Sequence, residues 1–235
     1  MTDAIPSGGD RHTASAFDRD LTDLRALIAE MGGLAEVALN NAKIALVEQN
    51  SGLANQVIEE DRKIDALEAR VGQQIIALIV RRAPMADDLR EVLAAHRIAG
   101  IIERVGDYSK TISKRILLLN KRPDIEPMNM LLGLFAGVRE MLAQALDSFT
   151  ARDQEKARAV CEGDREIDEL YNRLFLALLA QMMNEPSQIT STTHLLFIAK
   201  SLERTGDQAT NIAELVYFAS SGEQLPDRHA VASQD

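Results

Sequence analysis

Four pairs of carboxylates stand four residues apart in this chain: Asp61 with Asp65, Glu103 with Asp107, Asp164 with Asp168, and Glu203 with Asp207. On a helix that spacing puts both acids of a pair on one face. Left alone, such a pair destabilises its helix by roughly 0.2–0.5 kcal/mol, and a bound cation would reverse the sign. An oxygen-rich ligand set suits hard or borderline cations such as Mg²⁺, Mn²⁺ or iron, with Zn²⁺ also admissible, better than thiol-preferring ones. The plainer reading of any one pair is an ordinary solvated helix face. Four pairs at matched positions weigh against it.

The pairs come in duplicate. VIEEDRKIDAL, beginning at Val57, aligns with VCEGDREIDEL, beginning at Val160, at an offset of 103, and IIERVGDYSKTI, from Ile101, aligns with SLERTGDQATNI, from Ser201, at an offset of 100. Between 57–71 and 160–174, 8 of 15 residues are identical, and between 97–116 and 197–216, 7 of 20, against only 3 of 26 between 31–56 and 134–159. The two polar clusters have therefore drifted least since the duplication.

Gly106 and Gly206 each fall between the two acids of a pair. A mid-helix glycine costs about 1 kcal/mol relative to alanine. Close helix packing would explain it, and so would a helix surface bared for a multi-ion cluster; the sequence leaves both open. Arg104 and Arg204 read as surface arginines making local ion pairs. His12 and His229 lie near the ends, and His96 and His194 do not align between the repeats, so no histidine belongs to a duplicated site. Cys161 stands where the first repeat has Ile58, which marks it as a small buried apolar residue rather than a nucleophile.

The elements that must position these acids are helices. Breaks fall at Asn50-Ser-Gly52, Arg82-Ala-Pro84, Lys121 to Pro127 (KRPDIEP), Ala151-Arg-Asp153 and Asn184-Glu-Pro186. Between them the apolar residues recur at helical spacing, as in Ile98, Ile101, Ile102, Val105, Ile112, Ile116 and Leu119. The spacing predicts six helices of about 25–35 residues, antiparallel because their loops are short. The fold class is all-α: a tandem repeat of two three-helix bundles, residues 18–122 and 125–221, flanked by polar tails 1–17 and 222–235. At about 100° per residue, Glu103, Asp107, Glu203, Asp207, Asn211 and Glu214 point away from the apolar stripes, with Asp61 and Asp65 on a flank. A cation would then bind on the outer surface, across neighbouring helices.

Composition agrees. With 46% hydrophobic and only 4% aromatic residues, the cores are aliphatic. A net charge of −10, from 36 acids against 26 lysines and arginines, argues against nucleic-acid phosphates and for a cation or a basic partner. The one cysteine excludes an internal disulfide, MTDAIPSGGDRH lacks a signal-peptide stretch, and no apolar run approaches the ~20 residues that span a bilayer. A cytoplasmic protein is expected.

The segment RRAPMADDLR, from Arg81, leading into ERVGD and echoed downstream by ERTGDQATNIAE, resembles the PhoU family of phosphate-specific transport system accessory proteins, over about residues 18–220. The resemblance implies two three-helix bundles side by side, with metal clusters on their surfaces held by E(D)-x-x-x-D motifs. Those motifs fall on Glu103 and Asp107, on Glu203 and Asp207, and also on Asp61 and Asp65, Asp164 and Asp168. It further implies a negative regulator of the phosphate starvation response, which couples the phosphate ABC transporter, through its ATPase subunit, to a sensor histidine kinase. Membrane association would run only through those partners, and a homodimer is expected.

The chain departs from the family pattern in two places. Asn211 and Glu214 complete the fuller form of the motif in the second repeat, whereas the first has Thr111 and Lys114 there. A lysine opposes a cation, so the first site is expected to hold fewer ions or hold them less firmly. Residues Met85 to Arg90 have no counterpart before His194, so the repeats are not expected to share a partner-binding role. Among rival functions, a di-iron carboxylate enzyme needs Glu-x-x-His motifs facing a bundle core, and neither His96 nor His194 has a Glu three residues before it. GxxxxGK[ST], HExxH and CxxC are absent too. A non-enzymatic adaptor is the reading, with a metal-free acidic helical scaffold as its remaining rival.

Overall fold

The structure, a computed structural model, describes the backbone of residues 8–119 and 127–225, with side chains from residue 16 onward. Six long helices follow one another: α1 (Gly8–Glu48), α2 (Ser51–Arg82), α3 (Ala86–Leu117), α4 (Pro127–Ala151), α5 (Gln154–Asn184) and α6 (Ile189–Ser221). A short 3₁₀ turn, Pro186–Gln188, precedes α6. No strand occurs among the described residues. Helix α1 reaches back to Gly8, into the stretch expected as a tail, while residues 1–7, most of the KRPDIEP linker and residues 226–235 lie outside the described residues.

The helix ends follow local chemistry. Asn50 Oδ1 accepts from the Leu53 amide at 3.0 Å, and Asp153 Oδ1 accepts from the Glu155 and Lys156 amides, both at 3.0 Å. Both are N-caps that satisfy donors the helix cannot reach. Pro127 opens α4 at a position where its missing N–H is no loss. Gly222, at φ +77°, ends α6 in the left-handed conformation that favours glycine.

Helices α1, α2 and α3 pack on one another, as do α4, α5 and α6, so each repeat is a three-helix bundle. The bundles join through α3 against α6 and α1 against α4. That double duty shows in the sequence of the two inner helices. Ala94, Ala95, Ile98, Ala99 and Ile102 of α3, and Ile198, Ala199, Leu202, Ala209 and Ala213 of α6, are all buried, and their small and aliphatic side chains suit helices packed on several neighbours. Gly32 on α1 serves the second junction: a Cβ there would stand 2.8 Å from Leu146 Cδ1 on α4, so only glycine leaves that leucine its seat. One hydrophobic core consequently runs through both bundles.

A buried acid ties the junction further. Glu91 on α3 is 7% exposed. Arg25 of α1 donates to its Oε1 through Nε, at 2.6 Å, and through Nη2. From the other bundle, Arg152, in the α4–α5 turn, reaches Oε2 at 3.2 Å.

Candidate metal centre

The acid pairs lie where α2 meets α3 and where α5 meets α6, one seam per bundle. In the first, Asp61 is 3% exposed and buried against α3, which corrects the expectation of an outward flank position. The cause is Gly106. Its absent side chain lets α2 close in, since a Cβ there would meet Asp61 Oδ1 and Ile64 Cδ1, each at 3.0 Å. Gly206 does the same more loosely, with Ile167 Cγ2 at 3.3 Å. Both glycines are buried, and close helix packing accounts for them.

The two seams differ in what sits between the acids. In the first, the Lys110 ammonium lies 2.6 Å from Asp61 Oδ2 on α2 and 3.4 Å from Asp107 Oδ1 on α3. The hydrogen bond to Asp61 raises the Lys110 pKa above its usual value. Glu103 is raised from the ordinary glutamate value by burial first, then by Asp107, Asp65 and Asp61, and Asp65 is raised by burial and by Asp61. Asp61 Oδ1 is buried and meets no hydrogen-bond donor. Lys114, expected to oppose a cation here, is exposed and makes none of the cluster's ion pairs. The lysine that does so is Lys110.

In the second seam the residue matching Lys110 is Thr210, whose hydroxyl donates to Asp164 Oδ1 at 2.8 Å. Carboxylate oxygens of Asp168, Glu203 and Asp207 all gather within 4.8 Å of one another, the one such group of three among the described residues. Asp207 is pushed up to about 6, by burial first and then by Glu203, Asp164 and Asp168. Glu203 Oε2 is buried without a hydrogen-bond donor, while its Oε1 accepts from Lys200 at 2.6 Å. Lys200 lies on the same helix as Glu203 and is drawn to one side, 5.3 Å from the Tyr171 ring centre. The donor set is all oxygen, spans two helices and holds an orphaned buried oxygen, so these residues fit a hard cation. The first seam, with an ammonium already between its helices, does not.

Asn211 is not an acid, and its position is described by the groove beside it. It lines a groove of ≈ 900 Å³, together with Glu68, His96, Arg104 and Glu214, beside the α3–α6 junction. Arg104 and Arg204 are exposed. Cys161 is half-buried against the core and lies 3.9 Å from the Thr210 carbonyl, in keeping with a packing residue.

A duplicated three-helix bundle with one acidic seam in each half places this chain among tandem-repeat helical proteins, and comparison with known proteins makes the class specific. A family model described as the PhoU domain matches residues 28–116 and again 131–216, once in each bundle. The phosphate-specific transport system accessory protein PhoU homolog of Zymomonas mobilis is 51% identical over 217 residues, 92% of each chain. The Rhizobium meliloti protein of the same description is 43% identical, over 91% of this chain and 90% of its own. The crystal structure of PhoU from Pseudomonas aeruginosa superposes with a TM-score of 0.85 at 32% identity, covering 88% of this chain and 100% of that one. The chain belongs to the PhoU family, a family of accessory and regulatory proteins of phosphate transport rather than of enzymes. No helix among the described residues is long and apolar enough to cross a membrane.

Proposed function

We propose that this chain is a metal-binding adaptor that represses the phosphate starvation response, coupling the ATPase subunit of the phosphate ABC transporter to a sensor histidine kinase. The observation that carries the metal reading is the gathering of Asp168, Glu203 and Asp207 oxygens within 4.8 Å, beside a buried Glu203 oxygen with no donor. Asp168 on α5 and Glu203 and Asp207 on α6 would hold the ion. Asp164, already accepting from Thr210, would orient the seam. A bound cation supplies the positive charge that lets these carboxylates ionise together. Mg²⁺, Mn²⁺ and iron suit the all-oxygen set, and Zn²⁺ is accommodated less well without a histidine or thiolate.

Neutralising that seam turns a repulsive acidic strip into a surface on which a partner can sit. These side chains lie off the buried stripe of α6, so losing them spares the fold and removes the surface. The test is the double substitution Glu203→Ala/Asp207→Ala, with circular dichroism on the purified protein and an alkaline phosphatase reporter in phosphate-rich medium. The expected result is a helical, folded variant that no longer represses the reporter. A folded variant with normal repression removes the metal seam from the mechanism.

A further inference from the structure

The two seams are paired by duplication but not by charge. The ammonium of Lys110 bridges Asp61 on α2 and Asp107 on α3, which is the cross-helix bridging a metal ion would perform there. The matching residue of the second repeat, Thr210, carries no charge and donates to a single acid. We infer that the first bundle supplies its own permanent cation in Lys110, and that the chain therefore takes up metal at only one of its two acidic seams.

Three observations carry this. Asp61 is buried, and the one ion pair it makes among the described residues is with Lys110, so the lysine is committed to the seam rather than waving in solvent. The Lys110 side chain is itself only 29% exposed. Finally, the first seam offers no three carboxylate oxygens within the span found in the second. Lys200 does not erase the difference. It bonds Glu203 of its own helix, three residues on, meets α5 at the Tyr171 ring and leaves Glu203 Oε2 without a donor.

The inference rests on the proposed metal reading of the second seam, and a charge swap between the repeats separates the two. Full-length protein is stripped with chelator, dialysed against Mn²⁺ and assayed for bound manganese, with thermal melts in chelator and in Mn²⁺. Wild type is expected to lose its manganese on Asp207→Asn and to keep it on Asp107→Asn. Lys110→Thr is expected to melt several degrees lower in chelator, with the buried Asp61 stripped of its counterion. It should regain that loss in Mn²⁺ and bind additional manganese that Asp107→Asn removes. The reciprocal Thr210→Lys should bind less manganese than wild type; it keeps the test open if Lys110→Thr does not fold.

Loss of about half the wild-type manganese on Asp107→Asn would overturn the inference, as would a folded Lys110→Thr that binds no more than wild type. Wild type without manganese, alongside a Lys110→Thr variant that binds it through Asp107, would support the lysine's role while sinking the reading of the second seam.

Discussion

Replacing Arg25 by Met removes the inner of the two cations that hold Glu91. With Glu91 7% exposed, taking one partner from a fully buried pair would cost about 3–5 kcal/mol. Arg152 still faces the other oxygen at 3.2 Å, which lowers the expected loss to about 2–3 kcal/mol. In a chain of this size each kcal/mol moves the melting temperature by about 2–4 °C, so Arg25→Met should melt about 4–12 °C lower. Arg152 has a 56% exposed side chain, which puts its pair in the surface range of about 0–1 kcal/mol. Arg152→Met should therefore lose less than about 4 °C. Adding Glu91→Leu to Arg25→Met removes the stranded carboxylate and should recover most of the loss, since replacing both partners with apolar groups is close to neutral. Thermal denaturation followed by circular dichroism at neutral pH and moderate salt measures all three. Equal losses for the two arginine variants, or a double variant no better than Arg25→Met, would refute this account of the junction.

Two further outcomes follow from the seams. Alanine at either mid-helix glycine gains about 1 kcal/mol of helix propensity, but at Gly106 the new Cβ meets Asp61 and Ile64 at 3.0 Å, against 3.3 Å to Ile167 at Gly206; Gly206→Ala should melt higher than Gly106→Ala, and the opposite order would contradict the packing explanation. In chelator, the folded protein holds a proton on Asp207 up to about pH 6, whereas the unfolded chain releases it near the ordinary value of 3.8. The raised pKa therefore gives a contribution that is full below about pH 4 and lost as pH rises to about 6. Wild type should lose stability across that window relative to Asp207→Asn, measured as the difference in melting temperature between the two, and a difference independent of pH would be the contrary result.

Where structure was legible in the sequence, the cause was local. Asn50 and Asp153 cap the helices they precede, and both marked breaks; the acid pairs obey a four-residue rule that needs no tertiary knowledge. Three features were not legible. The Arg25–Glu91 pair joins residues 66 apart in sequence, and no periodicity connects them. Asp61 sits at the edge of its helix's apolar stripe, and only the approach of α3 at Gly106 buries it. Lys110 lies three residues after Asp107 and aligns with Thr210 at the repeat offset, but the motif positions Thr111 and Lys114 beside it carry no sign that the lysine at 110 is the one that turns toward α2. The polar stretch from Gly8 reads as a tail because it has no apolar stripe, and there the chain continues α1.

The core that runs unbroken through both bundles makes folding a shared event. Neither repeat can open at the α3–α6 face without exposing apolar surface that belongs equally to the other, so the halves should unfold in one transition although they arose as separate copies. A ligand held at the α5–α6 seam would then stabilise residues of the first repeat that it never touches. At a hundredfold excess over its dissociation constant, that amounts to about 2.7 kcal/mol distributed over the whole chain. Two copies coupled in this way would share one stability, so a substitution in either repeat should lower the melting temperature of both.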